Sequence, residues 1–195
     1  MNKSDFQNSI AAENEISLAE LINIFEKSPY SLKELQSLVI DWAAERNMLN
    51  KDAAKNQYEY IYAESGEMVE AKLKLKKDGL LPLIDGIGDT LVTLIVILAQ
   101  LEKPQFLEVG KADTRVGDFS MLMHRFVGNY FNYDYVACAE ITQSIAHLYN
   151  LNPTDCLWYA YQIISKRKGY TTTEGTFIKD EQPQIVNELP QYEID

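Results

Sequence analysis

LLPLIDGIGDTLVTLIVILAQL, residues 80–101, is the stretch on which the fold turns. It is long enough to suggest a transmembrane span, but Asp85 and Asp89 interrupt its first half. The uninterrupted apolar part, centred on Leu94–Ala99, falls well short of the roughly 20 residues a span needs. A helix apolar on all sides that is not a span is a core helix, so the segment predicts the buried axis of a soluble helical bundle.

Capping signals on either side extend that reading. Pro82 suits a first helical turn, and Gly79 stops the helix before it, predicted over about Asp52–Lys77 with Lys72, Lys74, Lys76 and Lys77 near its negative end. Ser31-Leu-Lys-Glu34 is a capping box opening a helix to about Asn47. Its Leu35, Leu38, Val39, Trp42 and Ala43 follow helical spacing. A second box, Ser17-Leu-Ala-Glu20, opens a short amphipathic stretch to about Lys27. Downstream, residues 103–117 read as a loop, followed by helices over about Asp118–Phe131 and Asp134–Tyr149. Asn152-Pro-Thr-Asp155 then starts a helix that ends at Lys166-Arg-Lys168 before Gly169. Gly169–Lys179 predicts a short hairpin or irregular turn, and residues 180–195 an acidic mobile tail. The fold class is therefore all-α, an antiparallel helical bundle with an N-terminal helical extension over residues 1–30.

Composition narrows function. The 195 residues carry 29 acids against 18 bases, a net charge of −11. Such a field disfavours nucleic acid and anionic membrane surfaces as partners. The charge is uneven: residues 1–30 hold five acids and two bases, residues 174–195 six acids and one base, and the middle is only −3. Cys138 and Cys156 have no metal-ligand or disulfide spacing and predict small buried apolar residues of a reducing compartment. The first fifteen residues contain no apolar leader core, which points to a cytoplasmic location.

The chemistry lies in Glu64-Ser-Gly-Glu67 on one helix and Asp85-Gly-Ile-Gly-Asp89 on the next. Pairs at i,i+3 and i,i+4 share a helix face, and a short connection makes the two helices antiparallel neighbours. Four carboxylates converging this way repel one another and suit a hard cation such as magnesium. Gly66, Gly86 and Gly88 each cost roughly 1 kcal/mol of helix propensity, which close helix approach or room for a ligand would offset. Solvated surface acids are the alternative. His124 and His147 lack an acid three residues before them, which disfavours a di-iron bundle.

This pattern resembles the MazG-like, all-α nucleoside triphosphate pyrophosphohydrolases, marked by ExxE on one helix and ExxD on the next. Glu64, Glu67 and Asp89 match; Gly86 stands where the family usually has glutamate, and adjacent Asp85 is the substitute carboxylate. Trp42-Ala-Ala-Glu-Arg-Asn47 resembles the family's first helix, and Ile164-Ser-Lys-Arg-Lys-Gly169 with Gly175-Thr-Phe-Ile-Lys179 its C-terminal ending. On that comparison the MazG-like domain is 31–179 and residues 102–150 are an insertion rich in tyrosine (Tyr130, Tyr133, Tyr135, Tyr149).

The resemblance implies hydrolysis of an NTP or dNTP between the α and β phosphates, giving a monophosphate and pyrophosphate. Mg2+, with Mn2+ as a substitute, would be held by Glu64, Glu67, Asp85 and Asp89. Glu67 or Asp85 would act as catalytic base. Lys166, Arg167 and Lys168 would meet the phosphates, and Trp42, Arg46 and Asn47 the base or sugar. For the basic triplet the competing role is complementing the helix dipole, and for Trp42 anchoring the core. Relatives are homodimers or homotetramers and compact ones occur in phage, so the host cytoplasm is then the compartment. A non-catalytic nucleotide-binding or interaction protein is the alternative that Gly86 motivates, and a purely structural bundle is a third.

Overall fold

The computed structural model describes residues 27–50, 54–101, 117–172 and 177–179. The helix expected over residues 17–26, the loop at 103–116 and the acidic tail lie outside the described residues.

Helix α1 (Leu32–Glu45) begins at the expected box. The Ser31 hydroxyl accepts from the Glu34 backbone N–H, and the Glu34 carboxylate accepts from that of Ser31 at 2.7 Å. The Ser31 hydroxyl also donates to that carboxylate at 2.7 Å, and this bond with the one from the Ser31 N–H holds the Glu34 carboxyl below its usual range. Leu32, Leu35, Val39, Trp42 and Ala43 face the core. The helix stops two residues before the expected end because Asn47 turns to φ 52°. Met48 N–H then reaches back to the Ala43 carbonyl and Asn47 N–H to that of Ala44, a Schellman closure. The same closure ends two later helices at Tyr133 and Asn150.

The long second helix is not continuous. It runs as α2 (Ala54–Leu73), turns at Lys74 (φ −96°, ψ 6°), and resumes for one turn as α3 (Leu75–Asp78). The break leaves Leu73 in solvent and turns Leu75 against the core. Gly79, at φ 74°, reverses the chain into α4 (Leu81–Gln100), which carries Pro82 in its first turn.

Helix α4 is the axis, packed by α1, by α2 along its length, and by two helices still to come. It is long and apolar enough to cross a membrane, yet 78% of its most apolar window is buried inside the bundle, the surface of a core helix. Asp118 caps α5 (Phe119–Phe131) and Asp134 caps α6 (Tyr135–Leu148). Asn152 caps α7 (Pro153–Ile164), with Pro153 opening it. The helices α6 and α7 pack on α4, and α5 on α6. Leu122, Phe126, Ile141 and Ile145 join one core with Leu94 and Ile95, so the described part of the segment read as an insertion is structural to the bundle. Both cysteines are buried free thiols, and burial pushes Cys138 up to about 12.

The last helix ends at Ile164, before the basic triplet, which forms the turn into β1 (Gly169–Thr171). β1 pairs antiparallel with β2 (Phe177–Lys179) in the register Gly169–Lys179, Tyr170–Ile178, Thr171–Phe177. Gly169 is required there: a Cβ would lie 2.1 Å from the Ile178 carbonyl oxygen. Seven helices and one hairpin, all-α in class, are what the described residues form.

Candidate functional site

The axis helix places the acids. Residues advance about 100° per step, so Asp85 and Asp89 project about 40° apart, with Gly86 and Gly88 about 80° to either side of their bisector. Each glycine is a point of helix contact. A Cβ on Gly86 would stand 3.0 Å from the Met68 Cα of α2, and one on Gly88 would stand 2.4 Å from the Cys156 carbonyl oxygen of α7. Two helices therefore close on α4 from both sides, and the aspartates occupy the groove between them. Gly66 differs: nothing lies within 4 Å of its would-be Cβ, so the sequence reading of close approach holds for Gly86 and Gly88 and not for it.

Glu64 enters the groove from α2. Its carboxyl is raised to about 7, by burial first and then by the negative charges of Asp89 and Glu67, against a lowering by Arg167. Asp85 is also raised by burial, again opposed by Arg167. On α7, Tyr159 is pushed up by burial and by Asp85 and Asp89. Charges that perturb one another in this way share one space. Glu64 therefore lies within electrostatic reach of Asp89, Glu67, Asp85 and Arg167, with Glu67 exposed.

Glu64, Asp89 and Arg167 also line a cavity of about 160 Å³. Its apolar walls are Trp42, Met48, Val92, Val96, Ile164 and Phe177, and Gln57, Tyr60 and Thr93 add polar groups. Trp42 is buried and donates its indole N–H to the Ile164 carbonyl at 3.1 Å, so it anchors the core and faces the cavity at once. Thr93 donates to the Asp89 carbonyl oxygen at 2.9 Å.

The other predicted contacts are distributed differently. Arg46 lies behind Trp42, with its guanidinium 5.0 Å from that ring. Asn47 borders a separate, larger hollow of about 550 Å³ with Ala44, Leu49, Asn50, Thr171 and Thr172, none of them charged. Lys166 and Lys168 are exposed, and of the triplet Arg167 alone is half-buried and faces the acids.

By type, the donors suit a hard divalent cation: they are carboxylate oxygens, and Glu64 is raised first by burial and then by the neighbouring negative charges. The groove is open, however. Among the described residues no three His, Cys, Asp or Glu side chains are grouped closely enough to hold a metal ion.

Several lining residues went unmarked in the sequence. Gln57, Tyr60 and Glu64 lie at i, i+3, i+7 on α2, and Asp89, Val92, Thr93 and Val96 at i, i+3, i+4, i+7 on α4. Extending the face of each acid along its own helix would have found them. Phe177 and Tyr159 gave no such signal, since they reach the site only through tertiary packing. No family model, curated protein or solved structure matches the chain.

Proposed function

We propose that the chain is a magnesium-dependent nucleoside triphosphate pyrophosphohydrolase, converting an NTP or dNTP and water to a monophosphate and pyrophosphate. One observation carries the reading: Glu64, Asp89 and Arg167 line a cavity walled by aromatic and aliphatic side chains, with Asp85 and Glu67 within electrostatic reach of Glu64. The ExxE and DGIGD spacing that resembles the MazG-like enzymes supplies the bond that is cut.

Glu64, Glu67, Asp85 and Asp89 would hold the ion. Magnesium, when bound, neutralises phosphate charge and polarises the phosphorus–oxygen bond under attack. Arg167 orients the phosphate chain as a rigid planar donor. Glu67, or Asp85, accepts the proton of the attacking water. Trp42 and Phe177 provide apolar walls for the base, with Gln57 and Tyr60 as the polar groups beside them.

The alternative, a nucleotide binder without catalysis, draws on Gly86. At that position a side chain would press on the α2 backbone instead of entering the groove, and among the described residues no three acids are grouped closely enough to hold a metal ion. One panel separates the two. The protein is incubated with each NTP and dNTP plus magnesium or manganese, and pyrophosphate is measured. Release from at least one, reduced about 100-fold or more by Glu67→Ala or Asp89→Ala, is the expected result. Binding of a nucleotide without pyrophosphate from any of them would leave the binder reading.

A further inference from the structure

Arg46 sits in an arrangement that neither surface solvation nor charge neutralisation explains. Its side chain is only 20% exposed, and its ion pair is a 3.7 Å contact to the neighbouring Glu45, itself 77% exposed and hence weak. Its guanidinium lies 5.0 Å from the Trp42 ring centroid and 5.8 Å from that of Phe177, two rings that meet at 6.4 Å and 58°. The same group donates to the Trp42 carbonyl at 3.2 Å and to the Arg167 carbonyl at 3.4 Å.

Those four contacts join three separate pieces: the end of α1, the turn that carries Arg167, and β2. The hairpin packs chiefly on itself, each strand against the other. Its seat on the bundle therefore rests on few side chains, and Phe177 is the one of them, among the described residues, that walls the cavity of Glu64 and Asp89. Arg167 likewise follows a helix that has already ended at Ile164; its N–H still bonds the Ile164 carbonyl at 3.1 Å, and its own carbonyl is the one Arg46 takes.

We propose that Arg46 is a positioning residue: seated beside the Trp42–Phe177 ring pair, within reach of both rings, and bonded to the Arg167 backbone, it clasps the C-terminal hairpin to α1 and aims Arg167 at the acidic groove. The aiming half rests on the hydrolase reading above; the clasp does not. Lysine cannot substitute, because a point charge on a flexible stem neither stacks on two rings nor forks to two carbonyls.

The test uses the full chain in four forms: wild type, Arg46→Lys, Arg167→Ala and the double variant. Amide hydrogen exchange, which requires no nucleotide, decides the clasp. Losing two hydrogen bonds should speed exchange of residues 167–171 and 177–179 by about tenfold in Arg46→Lys, with α4 unaltered. Phe177→Leu, which keeps the arginine and removes one ring, should move the same amides in the same direction. Unchanged exchange in both variants overturns the clasp.

Pyrophosphate-release kinetics decide the aiming. The KM for the triphosphate should rise about tenfold in Arg46→Lys, more than kcat falls, and the double variant should match Arg167→Ala alone because both act through one group. Additive effects overturn the aiming. If the wild type releases no pyrophosphate, the hydrolase reading and the aiming fall together, and the exchange result still decides the clasp.

Discussion

Glu64 is a carboxyl whose neighbours oppose its charge. Burial, Asp89 and Glu67 raise it from 4.5 to about 7. A folded-state value above the unfolded one means that the native state holds a proton the unfolded chain has released. The stability this contributes is complete below about pH 4.5 and is lost as the pH rises through about 7. Asp85 acts in the same direction. Melting temperatures of wild type and Glu64→Gln, measured from about pH 5 to about pH 8, should therefore converge at the acid end, with the variant the more stable at the alkaline end. Magnesium should narrow that gap at alkaline pH by binding the ionised wild-type groove, and do little for the variant. At the same scale, Tyr133 holds a left-handed φ of 57° in a Schellman closure where glycine carries no Cβ penalty. Tyr133→Gly should raise Tm by roughly 2–4 °C, for about 1 kcal/mol of relieved strain.

Among the elements, the glycines make the sharpest contrast. Gly66→Ala meets open space on α2, so the helix gains propensity and the protein should be stabilised by about 0.5–1 kcal/mol. Gly88→Ala drives a Cβ into the α7 backbone and should cost about 1–3 kcal/mol. Chemical denaturation of the two variants reads both signs. Two helices were legible from their caps, Ser31 and Asn152, and two more begin where their helical stretches were expected, with Asp118 and Asp134 as the caps. Their ends were less so. The break at Lys74 and the early stop at Ile164 depend on which side chains the bundle accepts, and no local residue marks them. The acids were legible because helical spacing alone put them on shared faces. Phe177 was not, because a three-residue strand gains its place at the cavity only from the far end of the chain.

Among the described residues one core runs from α1 to α7, and α5 joins it chiefly through α6, with contacts to α2 such as the Tyr62–Tyr130 ring pair and the bond from the Tyr130 hydroxyl to the Tyr58 carbonyl. Phe126→Ala, in the outlying α5, should cost about 3–5 kcal/mol. Because α6 packs on the axis, helical circular dichroism and tryptophan fluorescence should still unfold together, whereas two separated transitions would mark α5 and α6 as an independent unit. The seams at Gly86 and Gly88 reach further than stability. The seam at Gly86 makes the separation of α2, which carries Glu64, from α4, which carries Asp89, a matter of backbone distance, and the seam at Gly88 does the same for α7, so the groove works as a gauge whose jaws are set from behind. Its width is then adjustable at positions that never touch the ligand. Any enlargement at 86 or 88 resets the spacing of the helices that flank the acids, while positions 66 and 128, where nothing lies within 4 Å of an added Cβ, are free to vary without disturbing it.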